Sequence, residues 1–328
     1  MNTPIRIAIN GYGNLGRGVE LALAKAPDLA LAGIFTRRDP RGLKPETAGA
    51  KVFAASELDA RRDDIDVLIL CGGSKDDLPE QGPALAARFN TVDSFDTHAR
   101  IPEYFAAVNR AARDGGHSAL ISCGWDPGLF SLNRVYGEAL LPDGDTYTFW
   151  GRGVSQGHSE AVHRIPGVAA AVQYTVPSEA AVTAARSGTR PQLTTRDRHT
   201  RECFVVLKAG AEPEAVRRAI VTMPHYFDEY DTTVHYISMA EFERDHQAMP
   251  HGGFVIRTGA TSDTHKQLVE YRIQLDSNPE FTGSVLVAYA RAVHRLHAGG
   301  HTGALTVLDV PPGLLSPKSA DELRRTML

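Results

Sequence analysis

Gly11-Tyr12-Gly13-Asn14-Leu15-Gly16 is the first stretch of the chain with the types and spacing to hold a phosphate. The GxGxxG pattern is weak in isolation. Here an apolar run, residues 5–9, precedes it, and an amphipathic stretch with Leu15, Val19, Ala22, Leu23 and Ala26 follows. Strand, glycine turn and helix form the context in which the pattern binds a dinucleotide. Gly11 permits the tight turn, Gly13 lets the main chain approach a pyrophosphate, and Gly16 lets helix and strand pack closely. The helix start offers free N–H groups and a positive dipole end. After the next expected strand, residues 29–35, an acid usually receives the ribose hydroxyls; this chain has Thr36, Arg37 and Arg38. Two guanidiniums and a hydroxyl suit a 2′-phosphate and therefore NADP, with Asp39 the one nearby acid that leaves NAD open.

Ligands of open α/β sheets lie beyond the carboxyl ends of the strands. Cys71, Gly72, Gly73 and Ser74, then Asp93, Ser94, Phe95 and Asp96, then Cys123, Gly124, Trp125, Asp126 and Pro127 fall at such ends and are expected to line the crevice. Asp96 and Asp126 are acids at successive strand ends. They can hold an ammonium, and one can take its proton before a hydride leaves. Farther on, Thr175, Arg201 and Asn278 can hold a carboxylate and an amino group, because the arginine fork matches two oxygens. His251 stands beside two glycines that permit close approach, Trp150 can wall a pocket, and Gln156-Gly157 reads as a loop that can clamp a substrate. Plainer roles remain open for each: a helix cap for either Asp, a solvated charge for Arg201, a turn for His251, a core position for Trp150.

The elements that must position these groups follow from periodicity. Strands at 66–70, 91–93 and 118–121 alternate with helices at 15–25, 83–89 and 101–113, the β-α-β order of a Rossmann sheet covered on both faces. Beyond residue 124 the texture changes. Strands at 146–150, 203–207, 232–237 and 269–275 and helices at 179–186 and 214–222 predict an α+β domain, an antiparallel or mixed sheet with helices on one side. A helix at 281–298 ends at Gly299-Gly300, and residues 304–310 return toward the first domain. The expected division is a dinucleotide-binding domain over 1–124, a second domain over 125–299, and a tail of about 300–328 packed on the first.

Of the 328 residues, 42% are apolar and 23% charged, ordinary for a soluble globular chain. The formal charge of -4 argues against nucleic-acid or anionic-membrane partners, and no apolar run has membrane-spanning length. The N-terminus lacks a cationic segment followed by an apolar one, so a cytoplasmic protein is expected. Cys71, Cys123 and Cys203 form no CxxC pair, which disfavours disulfides and zinc. His294, His297 and His301 straddle the Gly299-Gly300 helix break, so no metal site is expected.

Several strings resemble one family. They are Gly11-Tyr12-Gly13-Asn14-Leu15-Gly16, Thr91-Val92-Asp93-Ser94-Phe95-Asp96, Gly124-Trp125-Asp126-Pro127-Gly128, Ser155-Gln156-Gly157-His158-Ser159, Gln173-Tyr174-Thr175, Arg201-Glu202-Cys203-Phe204, Met249-Pro250-His251-Gly252-Gly253 and Asn278-Pro279-Glu280-Phe281-Thr282. They run through almost the whole chain in order, so the likeness exceeds a shared Rossmann domain. The chain resembles the NADP-dependent meso-diaminopimelate D-dehydrogenases. The resemblance implies oxidative deamination of the D-centre of meso-2,6-diaminopimelate to L-2-amino-6-oxopimelate and ammonia, in lysine biosynthesis, by a homodimer. It places Asp96 and Asp126 by the D-centre, and Thr175, Arg201, His251 and Asn278 around the distal L-centre. Trp150, Gln156 and Gly157 are implied as further substrate contacts, and Asn278 as a cofactor contact too. Arg152 stands where the family frequently has Pro, near the expected pocket mouth. A non-catalytic NADP-binding regulator of the same fold, or a D-amino-acid dehydrogenase of broader specificity, remains the alternative.

Overall fold

The apolar runs of the first third are strands of one sheet. β1 (Ile5–Asn10), β2 (Leu29–Thr36), β3 (Val52–Ala54), β4 (Val67–Leu70), β5 (Thr91–Asp93) and β6 (Ser118–Leu120) pair in the order β6-β5-β4-β1-β2-β3, all parallel. Helices cover both faces, so the middle strands are apolar throughout: Ile7, Ala8 and Ile9 and all four residues of β4 have no exposure. In this computed structural model, which describes residues 3–328, the last strand of the chain, Gly303–Leu305, adds parallel to the outer edge of β6. The Gly303 N–H donates to the His117 carbonyl at 2.8 Å, and the Ile121 N–H to the Leu305 carbonyl at 3.0 Å. β3 is not among the strands the pattern predicts, since three half-buried residues carry no usable periodicity. The helix expected at 83–89 is Leu78–Ala86. Pro favours a first helical turn, but the proline that occupies it is Pro79, not Pro83.

The helix Asn278–Ala298 begins three residues before the expected start and buries ten residues. The guanidinium of its Arg291, 4% exposed, pairs with Asp28 at 2.7 Å and holds that carboxyl below its ordinary range.

The chain divides into two units. One is the chain up to Leu132 with Pro279–Leu328; the other is Asn133–Asn278. The second unit holds β7 (Gly144–Trp150), β8 (Gly153–Val154), β9 (Val168–Pro177), β10 (His199–Leu207), β11 (Asp231–Tyr236), β12 (His251–Ser262) and β13 (His265–Leu275). These make two sheets, β11-β10-β9-β8 and β13-β12-β7. The pairing of β10 with β11 is parallel and the others are antiparallel. A parallel neighbour needs a crossover, here the helix Pro213–Val221. That helix packs on the first sheet through Val216 and Ile220, against Cys203, Val205 and Phe227. Helix Glu179–Arg186, at its predicted bounds, packs Ala181, Val182 and Ala185 on Tyr147, Phe149 and Ile256 of the second. β8, β9 and β12 and the helices Leu129–Leu140, Gln156–His163 and Met239–Asp245 are absent from the expected elements.

Among the described residues no cluster of His, Cys, Asp or Glu could hold a metal, and no helix is long and apolar enough to cross a membrane.

Candidate active site

At the end of β1, Gly11 takes φ 97°, a left-handed conformation that favours glycine. A Cβ on Gly16 would sit 2.3 Å from the Gly11 carbonyl, so turn and helix touch. Among the described residues, nothing beyond its immediate chain neighbours lies within 4 Å of a Cβ on Gly13. The space above the middle glycine is open, as a pyrophosphate requires. A cavity of about 560 Å³ runs from Gly11 and Gly13 past Thr36 and Arg38 to Gly72. Arg38 donates to the Tyr12 carbonyl, and its N–H donates to Thr36 Oγ1 at 3.1 Å, folding the basic loop against the glycine turn. Arg37, 72% exposed along its side chain, pairs with Asp77 at 2.8 Å, and Asp77 accepts the Gly73 N–H at 3.0 Å. Asp39 is engaged by Arg41 at 2.9 Å. The open glycine turn, the helix start and two guanidiniums fit a 2′-phosphorylated dinucleotide.

Some expected crevice residues turn their side chains inward. Tyr12 is buried and donates its hydroxyl to Glu20, which also accepts N–H groups of Glu46 (3.1 Å) and Thr47 (2.8 Å). Asp93 is fully buried and accepts from Tyr104 Oη at 2.6 Å, the Phe95 N–H at 2.9 Å and the Ser122 N–H at 3.1 Å. Burial pushes its carboxyl up to about 6 against those bonds. Phe95 stacks on Tyr104 with centroids 4.1 Å apart, and Cys123 is buried with its thiol pushed up by burial. These side chains pack beneath the loops of the crevice. They shape the loops that present Asp96 and Asp126. The Asp96 N–H donates to Ser74 Oγ at 3.1 Å, tying two strand-end loops together. Asp126 is half-buried on a closed bend in which Leu129 N–H donates to the Gly124 carbonyl (3.1 Å) and Phe130 N–H to the Trp125 carbonyl (2.8 Å). Trp125 stands edge-on to Phe130 at 5.3 Å.

The remaining expected residues belong to the second unit. Antiparallel register sets Arg201 opposite Thr175, and Gly153 opposite Thr175 from the other side. Arg201 is 7% exposed. Its guanidinium donates to Thr175 Oγ1 and lies 3.9 Å over the Tyr230 ring; its Nε has no partner, and among the described residues no acid pairs with it. Burial lowers its pKa despite Tyr230. His251 lies over Gly153, where a Cβ would come within 2.4 Å of the His251 ring, and its Nδ1 accepts the Gly252 N–H at 2.8 Å. Gln156 donates to Met249 Sδ at 3.0 Å, and the Asn278 N–H to the Met249 carbonyl at 2.9 Å, so one residue gathers both. Gln156 and Gly157 are not in a glycine-rich loop, as the sequence suggests; they start the helix Gln156–His163. Arg152 pairs with Glu202 and lies 4.9 Å over Tyr174. Tyr174 and Thr175 are neighbours on β9, so their side chains point to opposite faces.

Three residues near Arg201 escape the sequence reading. Gln173, with no exposure, has neither amide atom partnered and shares the Thr175 face of β9. His158 hydrogen-bonds Ser155 Oγ at 2.8 Å, and His199 accepts the Trp150 N–H at 2.8 Å. Burial, with the Arg201 charge second, pushes both imidazoles down to about 4. Alternation along β10 could have found His199, two residues before Arg201.

The model of the diaminopimelic acid dehydrogenase C-terminal domain matches residues 124–277. Meso-diaminopimelate D-dehydrogenase of Ureibacillus thermosphaericus is 60% identical over 324 residues, 99% of both chains. A solved Clostridium tetani meso-dapdh mutant with DAP superposes with TM-score 0.93 at 49% identity, covering 99% of this chain and 100% of that one. An engineered D-amino acid dehydrogenase bound to NADP+ superposes at 0.88, with 48% identity and the same coverage. With identity of that order sustained from end to end, on a sheet and loops of the expected kind, the chain belongs to the meso-diaminopimelate D-dehydrogenase family.

Proposed function

We propose that this protein oxidatively deaminates the D-configured centre of meso-2,6-diaminopimelate with NADP+, reversibly, giving L-2-amino-6-oxopimelate and ammonia for lysine biosynthesis. The observation that carries the reading is Arg201, a buried guanidinium with a hydroxyl and an aromatic face for neighbours and, among the described residues, no acid paired with it. A charge kept out of water without a counter-ion is costly. A substrate carboxylate supplies the missing partner in bidentate form. The C. tetani mutant with DAP gives independent support. Its six substituted positions are Gln, Thr, Arg, Pro, His and Asn, with the spacing of Gln156, Thr175, Arg201, Pro250, His251 and Asn278.

In this reading Arg201, Thr175, His251 and Asn278 hold the L-centre, which fixes which end of the diacid reacts. Trp150, Gln156 and Gly157 complete the pocket wall. Asp96 and Asp126 hold the D-centre ammonium, and one of them takes its proton so that the nitrogen lone pair can assist departure of the Cα hydride. The bound nicotinamide supplies the hydride acceptor. Water then adds to the imine carbon and ammonia leaves. The glycine turn, Thr36, Arg37 and Arg38 hold the cofactor, with the 71–74, 93–95 and 123–127 main chain and Asn278 beside it.

The active form is a homodimer in the cytoplasm. Val135, Tyr136 and Leu140 on one helix and Leu268 and Val269 on β13 are exposed apolar side chains of the second unit, available to a second copy. The test is reduction of NADP+ or NAD+ with meso-, LL- and DD-diaminopimelate, with mass from light scattering. Activity on LL alone, or with NAD+ alone, would overturn the reading.

A further inference from the structure

Trp150, which closes β7, is 36% exposed, whereas His199 beneath it is 3% exposed. The two rings stack with centroids 5.3 Å apart and planes 24° from parallel. The same imidazole accepts the Trp150 main-chain N–H at its Nε2, 2.8 Å away. The Phe149 ring also approaches it, with centroids 5.9 Å apart and the planes tilted by 54°. β7 and β10 belong to different sheets, so this side chain joins the strand end bearing the indole to the strand bearing Arg201. His199 and Arg201 are two residues apart on β10 and share a face. A ring nitrogen that accepts an amide N–H carries no proton, so a neutral His199 must hold its proton on Nδ1. The charged groups facing it are Arg201 and Arg198; burial first, then their charge, pushes its pKa down to about 4, so this tautomer persists through the neutral range.

We propose that His199 is a positioning residue for substrate recognition: it fixes the main chain and the indole of Trp150 at a set distance from the Arg201 anchor. Both of its bonding modes are used. The acceptor holds the backbone, and the flat ring backs the indole. A side chain supplying one mode alone leaves the other undone. The role rests on the reading that Trp150 lines the diaminopimelate pocket.

Four variants test it. His199→Ala removes both modes, His199→Gln returns an acceptor near the Nε2 position, and His199→Phe returns a flat ring. Trp150→Ala is the reference. A hydrogen bond and an aromatic contact together predict a KM for meso-diaminopimelate raised roughly ten- to thirtyfold in His199→Ala, with Gln and Phe between it and the parent. NADP+ affinity stays unchanged, and the Trp150 part of the indole emission, identified by subtracting the Trp150→Ala spectrum, shifts to the red. If His199→Ala fails to fold, the Gln and Phe variants decide. Parent-like KM and emission in the folded His199 variants, while Trp150→Ala is impaired, would overturn the positioning role alone. A parent-like KM in Trp150→Ala would overturn the placement of Trp150 in the pocket.

Discussion

The two units build their candidate sites from different materials. In the first, much of the candidate site is main chain: a glycine turn, a helix start, and loops at the ends of β1, β2, β4, β5 and β6, with side chains such as Asp93 and Glu20 turned inward to brace them and Arg37, Arg38, Asp96 and Asp126 standing at the loop tips. In the second, the key groups are side chains on paired strands, held buried by one another: Arg201 on Thr175 and Tyr230, His199 on Trp150, His251 on Gly153. The main-chain part of the first site tolerates changes of side chain and suits the pyrophosphate that every dinucleotide shares; only the Arg37 and Arg38 side chains are expected to tell one dinucleotide from another. A side-chain site is specific because each buried polar atom needs one matching partner. The grip on the dinucleotide should therefore rest mainly on the first unit and recognition of the distal end of the substrate on the second, with Asp126 the first-unit acid proposed to serve the substrate instead.

The sharpest way to break that separation is Asp126→Ala. If Asp126 takes the ammonium proton as proposed, its loss should cut kcat by about 10²- to 10⁴-fold. NADP+ affinity should hold; a matching loss of cofactor binding would show that Asp126 serves the dinucleotide. Next is Arg201→Met. Losing a charge-assisted pair should lower kcat/KM for meso-diaminopimelate by about 10²-fold. Because the parent buries a guanidinium without an acid, the melting temperature should hold or rise. A large fall would identify Arg201 as structural. The double change Arg37→Ala, Arg38→Ala should weaken NADP+ by about 10²-fold and NAD+ little. Equal losses for both would place the arginines away from the 2′-phosphate.

The smallest effect concerns pH. His158 and His199 titrate near 4 when folded, against 6.5 for the ordinary group. A depressed folded pKa means stability fully present above about 6.5 and lost as pH falls toward 4, because the unfolded chain takes up protons first. Melting temperature should fall over that window, and less steeply in His199→Gln. An identical slope in that variant would remove His199 from the balance.

The same contrast governs what the residues disclose in order. The glycine turn, Thr36-Arg37-Arg38 and the parallel strands other than β3 are legible because each is a local pattern: neighbours in sequence are neighbours in the turn. The strands β9 and β12 and the polar cluster around Arg201 are not. Thr175 and Arg201 meet only through antiparallel register, and His251 reaches Gly153 from a distant strand. Their family strings flag them without saying what they touch. Arg152 illustrates the limit, since only the pleat shows that its partner Tyr174 points away from the Thr175 face.

The strand Gly303–Leu305 has a consequence for how the molecule comes into being. It completes the edge of a sheet whose other strands all lie before residue 121, and its Leu305 carbonyl holds Ile121, just before the bend that carries Asp126. On the ribosome, residues 133–278 emerge as one continuous stretch and can fold while the chain is still growing. The first sheet must wait for residues 303–305, so a chain stalled before them would leave β6 as a bare edge.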